Sequence, residues 1–126
     1  MAAIFIKRIY DLLEEDDGYR VLVDRLWPRG IKKEAARLSA WEKDISPSSE
    51  LRKAFNHIPE LFNEFREKYL IELRTQEEKI RKIEELASIS KVNKVTLLYA
   101  AKDPIHNHAR VLCEELIRKV NQREDT

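Results

Sequence analysis

Tyr19-Arg-Val-Leu-Val-Asp-Arg-Leu-Trp-Pro-Arg-Gly30 opens as an apolar run and closes as a charged turn. Val21-Leu22-Val23 has the continuous, β-branched character of a buried strand. Asp24-Arg25 breaks the run, and Pro28-Arg29-Gly30 ends it. Ionisable groups at the end of a buried strand are costly unless they are paired or face a cleft. In open α/β sheets, ligands bind beyond the carboxyl ends of the strands. The stretch therefore predicts a strand over 19–24 and, at its end, a site.

On the N-terminal side, residues 3–8 are β-rich and predict a first strand. The acidic segment from Leu12 closes on the turn Asp16-Asp17-Gly18. On the C-terminal side, 32–37 reads as a helical turn and 41–45 as a short third strand or extended edge. Ser46-Pro47 offers a capping hydroxyl and a first helical position, predicting a helix to about Asn56. Pro59 opens the next helix, with Leu61, Phe62, Phe65, Tyr69, Leu70 and Leu73 at three- and four-residue spacing. A third helix, near 76–89, places Ile80, Ile83, Leu86 and Ala87 on one side. Its outer pairs Glu77/Arg81 and Glu78/Lys82 are worth about 0.2–0.5 kcal/mol each. The last strand is predicted over Val92–Tyr99. Asp103-Pro104 predicts the start of a closing helix to about Asn121, with Ile105, Ala109, Leu112, Leu116 and Val120 buried. Residues 122–126 read as a frayed polar tail. The alternation of strands and helices predicts one α/β layer domain over 1–126: a small, largely parallel sheet of about three to four strands flanked by helices.

The totals exclude several classes. A chain of 126 residues buries roughly two-thirds of its unfolded surface, enough for one core without staples. Charged residues make up 37%, against about 25% in an average protein. They nearly cancel, at 24 basic and 23 acidic. Such a balance argues against a whole-domain grip on nucleic acid. The single cysteine, Cys113, allows no intrachain disulfide and fits a reducing compartment, so the expected location is the cytoplasm. The apolar start runs directly into Lys7-Arg8, unlike a signal peptide, and no run is long enough to span a membrane. Gly18 and Gly30 are the two glycines, too few for a Walker loop or a Rossmann fingerprint, and no cofactor is expected.

If strand two and the last strand are parallel neighbours, Asp24, Arg25, Arg29, Tyr99, Lys102, His106 and His108 converge at one edge. Arg25, Arg29 and Lys102 would favour an anion, since guanidinium groups grip phosphate or carboxylate with two prongs. Asp24 beside His108 would make an acid–base couple, with Tyr99 or Arg25 meeting developing charge. Equally, Asp24 paired with an arginine would simply hold the Trp27-Pro28 turn. No metal is expected, because His106 and His108 would point about 200° apart on a helix. Cys113 reads as a small buried hydrophobe. Trp41 reads as a core residue, while Trp27 suits either the core or a stacked ligand ring.

Asp17 through Gly30 resembles the signature of the YeaO-like bacterial and archaeal proteins, the 488th family of domains of unknown function. Trp41 through Asp44, Ser46-Pro47-Ser48 with Glu50-Leu51-Arg52, and Thr96 through Asp103 with His106-Asn107-His108-Ala109 resemble its later blocks. The resemblance covers nearly the whole chain. It implies a compact α/β domain in the cytoplasm and no particular activity. A sister branch carries a cysteine at the end of its last strand and a Cys-His-Arg triplet opening the next helix. Here Tyr99, Asn107 and Ala109 replace the two cysteines and the arginine, while His108 is kept, which puts thiol or metal chemistry in doubt. Asp24 matches an aspartate of that branch, so Asp24 and His108 stand out.

Together these readings predict an enzyme or binding domain for a small anionic or nucleotide-like molecule. Asp24, His108 and Tyr99 would do the chemistry, and Arg25, Arg29, Trp27, Lys102, His106 and Asn107 would bind. The alternative is a non-enzymatic module binding nucleic acid or protein through the basic segment 20–33, with Arg20, Arg25, Arg29, Lys32, Lys33 and Trp27. A third is a cluster that only holds the fold. The sequence carries no signature of oligomeric state.

Overall fold

The computed structural model describes residues 3–124. Four parallel strands, β1 (Ile4–Arg8), β2 (Tyr19–Leu22), β3 (Ala40–Trp41) and β4 (Val95–Tyr99), form one sheet in the order β1-β4-β2-β3. Five helices accompany them: α1 (Lys33–Ala36), α2 (Ser49–Phe55), α3 (Phe62–Thr75), α4 (Glu77–Ser90) and α5 (His108–Glu124). The α/β class and the parallel sheet agree with the sequence reading, and β2 pairs with the last strand, the condition on which convergence at one edge depended.

β4 lies between β1 and β2, and all five of its residues are buried. That explains its uninterrupted Val95-Thr-Leu-Leu-Tyr99 run: a strand covered on both faces has no solvent side. Its one polar residue, Thr96, donates its hydroxyl to Asp17 O at 2.6 Å. Alternate residues serve different cores. Val95, Leu97 and Tyr99 join Val21, Val23 and the apolar stripes of α2 to α5. Leu98 joins Leu22, Ile9 and Ala36, which Trp27, Ile31, Leu38 and Trp41 cover. One face thus carries four helices and the other a thin lid formed by the segment between β2 and β3.

The β1–β2 crossover is held electrostatically. Asp17 is buried and receives Lys7 at 2.7 Å and Arg20 Nη1, while the Arg20 Nε and Nη2 groups donate to Ala36 O. Burial alone would raise the Asp17 carboxyl, but hydrogen bonds from Lys7, the Glu14 amide and Arg20 outweigh it and hold the pKa low. Gly18 follows with φ +69°, and a side chain there would strike the Lys94 carbonyl oxygen.

Several boundaries differ from expectation, each for a local reason. α5 starts at His108, not at Asp103-Pro104. Asp103 Oδ1 takes the amides of Ile105 and His106 in a tight turn, and Asn107 Oδ1 caps α5 by accepting the Arg110 amide at 2.9 Å. Ile105 is consequently 55% exposed and lies outside the buried stripe. α2 starts at Ser49, because Ser48 Oγ accepts the Leu51 amide, while the Ser46 hydroxyl donates to Lys43 O. Leu61 falls in a 3-10 turn, Pro59–Leu61, and is exposed. The third strand is only Ala40–Trp41, followed by a 3-10 turn at Lys43–Ile45. Val92 is exposed ahead of β4. Residues 122–124 of the expected tail are helical; 125 and 126 lie outside the described residues.

Candidate functional site

Parallel pairing of Leu22 with Leu98 brings the carboxyl ends of β2 and β4 side by side. Asp24 emerges there and accepts the Ala100 amide on Oδ2 at 3.0 Å, which ties the two strand ends together. His108, the first residue of α5, lies against the same edge. Its Nε2 is 3.0 Å from Val23 O and 3.2 Å from Asp24 Oδ1. The ring N–H is aimed at the carbonyl, so Asp24 Oδ1 is buried without a hydrogen bond. The His108 ring stands edge-on to Tyr69, whose hydroxyl donates to Ile45 O at 2.7 Å.

This edge forms one wall of a cavity of about 630 Å³, within the usual range of small-molecule sites. Asp24, Ala100, Ala101, Asn107 and His108 line that wall. The loop from Arg25 to Arg29 supplies a second, and Ser46, Pro47 and α2 with the following Asn56 and His57 supply a third. Phe55 and Phe65 contribute apolar surface and stack on each other at 4.5 Å between centroids. Trp27 is braced by its indole N–H on Ile31 O and by edge contact with Trp41. Trp41 in turn donates to Asp24 O. Both tryptophans therefore shape the loop, and Trp27 also faces the cavity.

The cavity gathers several cations around one carboxylate. Elsewhere many cations are paired: Lys7 and Arg20 with Asp17, Arg66 with Glu114, and Arg74 and Arg118 with Glu115. Arg25, Arg29, Arg52 and Lys53 line the cavity, and among the described residues none of them is paired with a carboxylate. Arg52 Nε is buried with no acceptor. Asp24 is the one carboxylate of the lining. The rim also holds two consecutive non-glycine residues in the left-handed region, Asn56 and His57, at φ 47° and 56°. Such conformations cluster at ligand clamps.

The structure gathers six of the nine residues singled out from sequence: Asp24, Arg25, Trp27, Arg29, Asn107 and His108. Tyr99 stands apart, buried in the helix-side core, where burial raises its pKa. His106 is held by Asp103 at 2.8 Å and packs edge-on to Phe62, outside the lining. Lys102 is exposed, also outside it. Sequence reasoning missed Arg52, Lys53, Phe55, His57 and Phe65. The signal available was the adjacent Arg52-Lys53 pair between the buried Leu51 and Phe55. Among the described residues, the acidic group that could approach a metal is Glu14, Asp16 and Asp17, and it is already occupied by Lys7 and Arg20.

Known proteins resemble this chain over most of its length. Escherichia coli (strain K12) has an uncharacterized protein, YeaO, that is 52% identical over 110 residues, covering 87% of this chain and 93% of its own. An uncharacterized Mycobacterium tuberculosis (strain ATCC 25618 / H37Rv) protein is 40% identical over 111 residues, covering 88% and 91%. No solved structure gives a significant match. A family model described as the inactive DUF488-N3 subclade matches residues 3–126. The chain therefore belongs to the DUF488 family of YeaO-like proteins, within the subclade described as inactive.

Proposed function

We propose that this protein is a binding domain for a small anionic, ring-bearing molecule of nucleotide-like character, held without turnover in the cavity at the carboxyl edge of the sheet. The observation that carries the reading is the set of four unpaired cations, Arg25, Arg29, Arg52 and Lys53, around an aromatic-lined cavity with a single carboxylate. Unpaired guanidinium groups beside apolar walls suit a phosphate or carboxylate attached to a ring. Two observations favour binding over catalysis. The family description reads inactive, and the sequence resemblance implies that Tyr99 and Asn107 stand where a sister branch carries thiols. The one cysteine, Cys113, is half-buried on α5, and burial raises its pKa, away from the reactive thiolate.

The basic segment 20–33 supports the nucleic-acid alternative less well. Arg20 is buried against Asp17 and Ala36, so it offers nothing to a partner. Among the described residues no helix is long and apolar enough to cross a membrane. The lone cysteine supports placement in the cytoplasm.

The test is calorimetry and thermal unfolding with inorganic phosphate, phenyl phosphate and nucleoside monophosphates. A ligand at 100 times its dissociation constant adds about 2.7 kcal/mol. We expect a gain of this order, weakened by salt and lost in Arg25→Gln/Arg52→Gln, with no product on chromatography. No stabilisation by any of these anions overturns the reading, as does stabilisation that survives the double variant.

A further inference from the structure

Building on the binding reading above, we infer that the cavity is polarised and selects a nucleotide whose base carries an exocyclic amine. Two buried polar atoms of its lining have no hydrogen-bond partner, and they are of opposite kinds. Asp24 Oδ1 is an acceptor and Arg52 Nε is a donor. Groups left unmet beneath a cavity wall point to partners supplied by what enters it. The two do not satisfy each other, and His108 Nε2, 3.2 Å from Asp24 Oδ1, gives its N–H to Val23 O, so the missing partners are an N–H for Asp24 and an anionic or carbonyl oxygen for Arg52.

The surrounding chemistry extends the same polarity. At the strand ends, Asp24 Oδ2 already takes the Ala100 amide, and His108 Nε2 donates to Val23 O. The unmet group of this wall is therefore an acceptor, Asp24 Oδ1. α2 and the 25–29 loop present the cations Arg25, Arg29, Arg52 and Lys53. Phe55 and Phe65 lie in the same lining. A molecule that answers all three has an anion, a planar ring and an amine on that ring. Inorganic phosphate or a plain aryl phosphate answers only part. The about 630 Å³ of space admits the whole nucleotide.

The experiment is calorimetric titration of the full chain with AMP, CMP, the analogue of each that lacks the exocyclic amine, and phenyl phosphate. In the unmodified protein the amine should improve binding roughly tenfold to hundredfold, the effect of one hydrogen bond to a charged group. In Asp24→Asn, the Ala100 amide holds the new carbonyl oxygen, which leaves an NH2 where Oδ1 stood. The preference for the amine should then vanish. Arg52→Gln should weaken a nucleotide and its amine-free analogue by the same factor. Equal binding of AMP and CMP to their amine-free analogues overturns the inference while leaving the anion-binding reading intact. A preference that persists in Asp24→Asn also overturns it. Failure of every anion to bind removes both readings. The comparison within the unmodified protein stands even if Asp24→Asn does not fold.

Discussion

Asp24 shows how one side chain serves both fold and site. Its Oδ2 is the acceptor for the Ala100 amide, one step beyond the last backbone bond between the two strand ends, Val23 N–H to Leu98 O. Asp24→Ala should cost about 1–3 kcal/mol, the penalty for leaving a partly buried donor unmet, and urea unfolding will measure it. Asp17 is a stronger case. Removing it strands Arg20 and Lys7, and Asp17→Ala should lose about 3–5 kcal/mol in the same measurement. Glu115 sets part of the acid limit. Burial would raise its carboxyl, but Arg118 and Arg74 bind it and hold it at about 2, below its ordinary 4.5. A group depressed on folding adds stability above its unfolded value and loses it as pH falls to its folded value. Glu115 therefore contributes fully above about pH 4.5, and the contribution drains away towards pH 2. Glu115→Gln should flatten that portion of a stability-against-pH curve.

At the scale of elements, the start of α5 matters most, because it decides what His108 faces. Asn107 caps the helix through Oδ1 and ties back to Asp103 O through Nδ2 at 2.8 Å. Asn107→Ala should cost about 1 kcal/mol by the usual value of a cap, and the lost Asp103 contact adds to it. Thermal unfolding gives the total, and the His108 NMR signals should shift with it. A helix beginning at Pro104 would have turned His108 through more than a full helical turn relative to its start. The observed cap instead makes it the first helical residue, against Val23 and Asp24. The Asp103-Pro104 signal was genuine turn chemistry, read as a cap because both uses need the same side-chain oxygen. The β-run of β4, by contrast, was unambiguous, since burial on both faces leaves an apolar, β-branched run in which Thr96 is itself a strand former.

Across the whole molecule, the helices are unequally shared between the two faces of the sheet. Four of them bury Val21, Val23, Val95 and Leu97, whereas the opposite face is closed by the segment carrying Trp27, Ile31 and Trp41. The loop from Arg25 to Arg29 belongs to this thin side, so it is the part of the cavity wall with the least packing behind it. Amide hydrogen exchange should show Arg25–Arg29 and Asn56–His57 opening more readily than β4, and a bound anion should slow exchange in both segments while leaving β4 unchanged. The strand periods, helix stripes and charged end of β2 were legible from local chemistry alone, because burial demands a pattern that neighbours in sequence already display. The sequence also picked out Asp24, Arg25, Trp27, Arg29, Asn107 and His108, since each sits at an element's end where polarity breaks the pattern. The third wall, with Arg52, Lys53 and His57, came from long-range packing: α2 approaches the sheet edge through Phe55 stacking on Phe65. The same packing turned Tyr99 into the core and left His106 outside the cavity. Which side chains meet across a cavity depends on how elements dock, and no spacing within one segment encodes that.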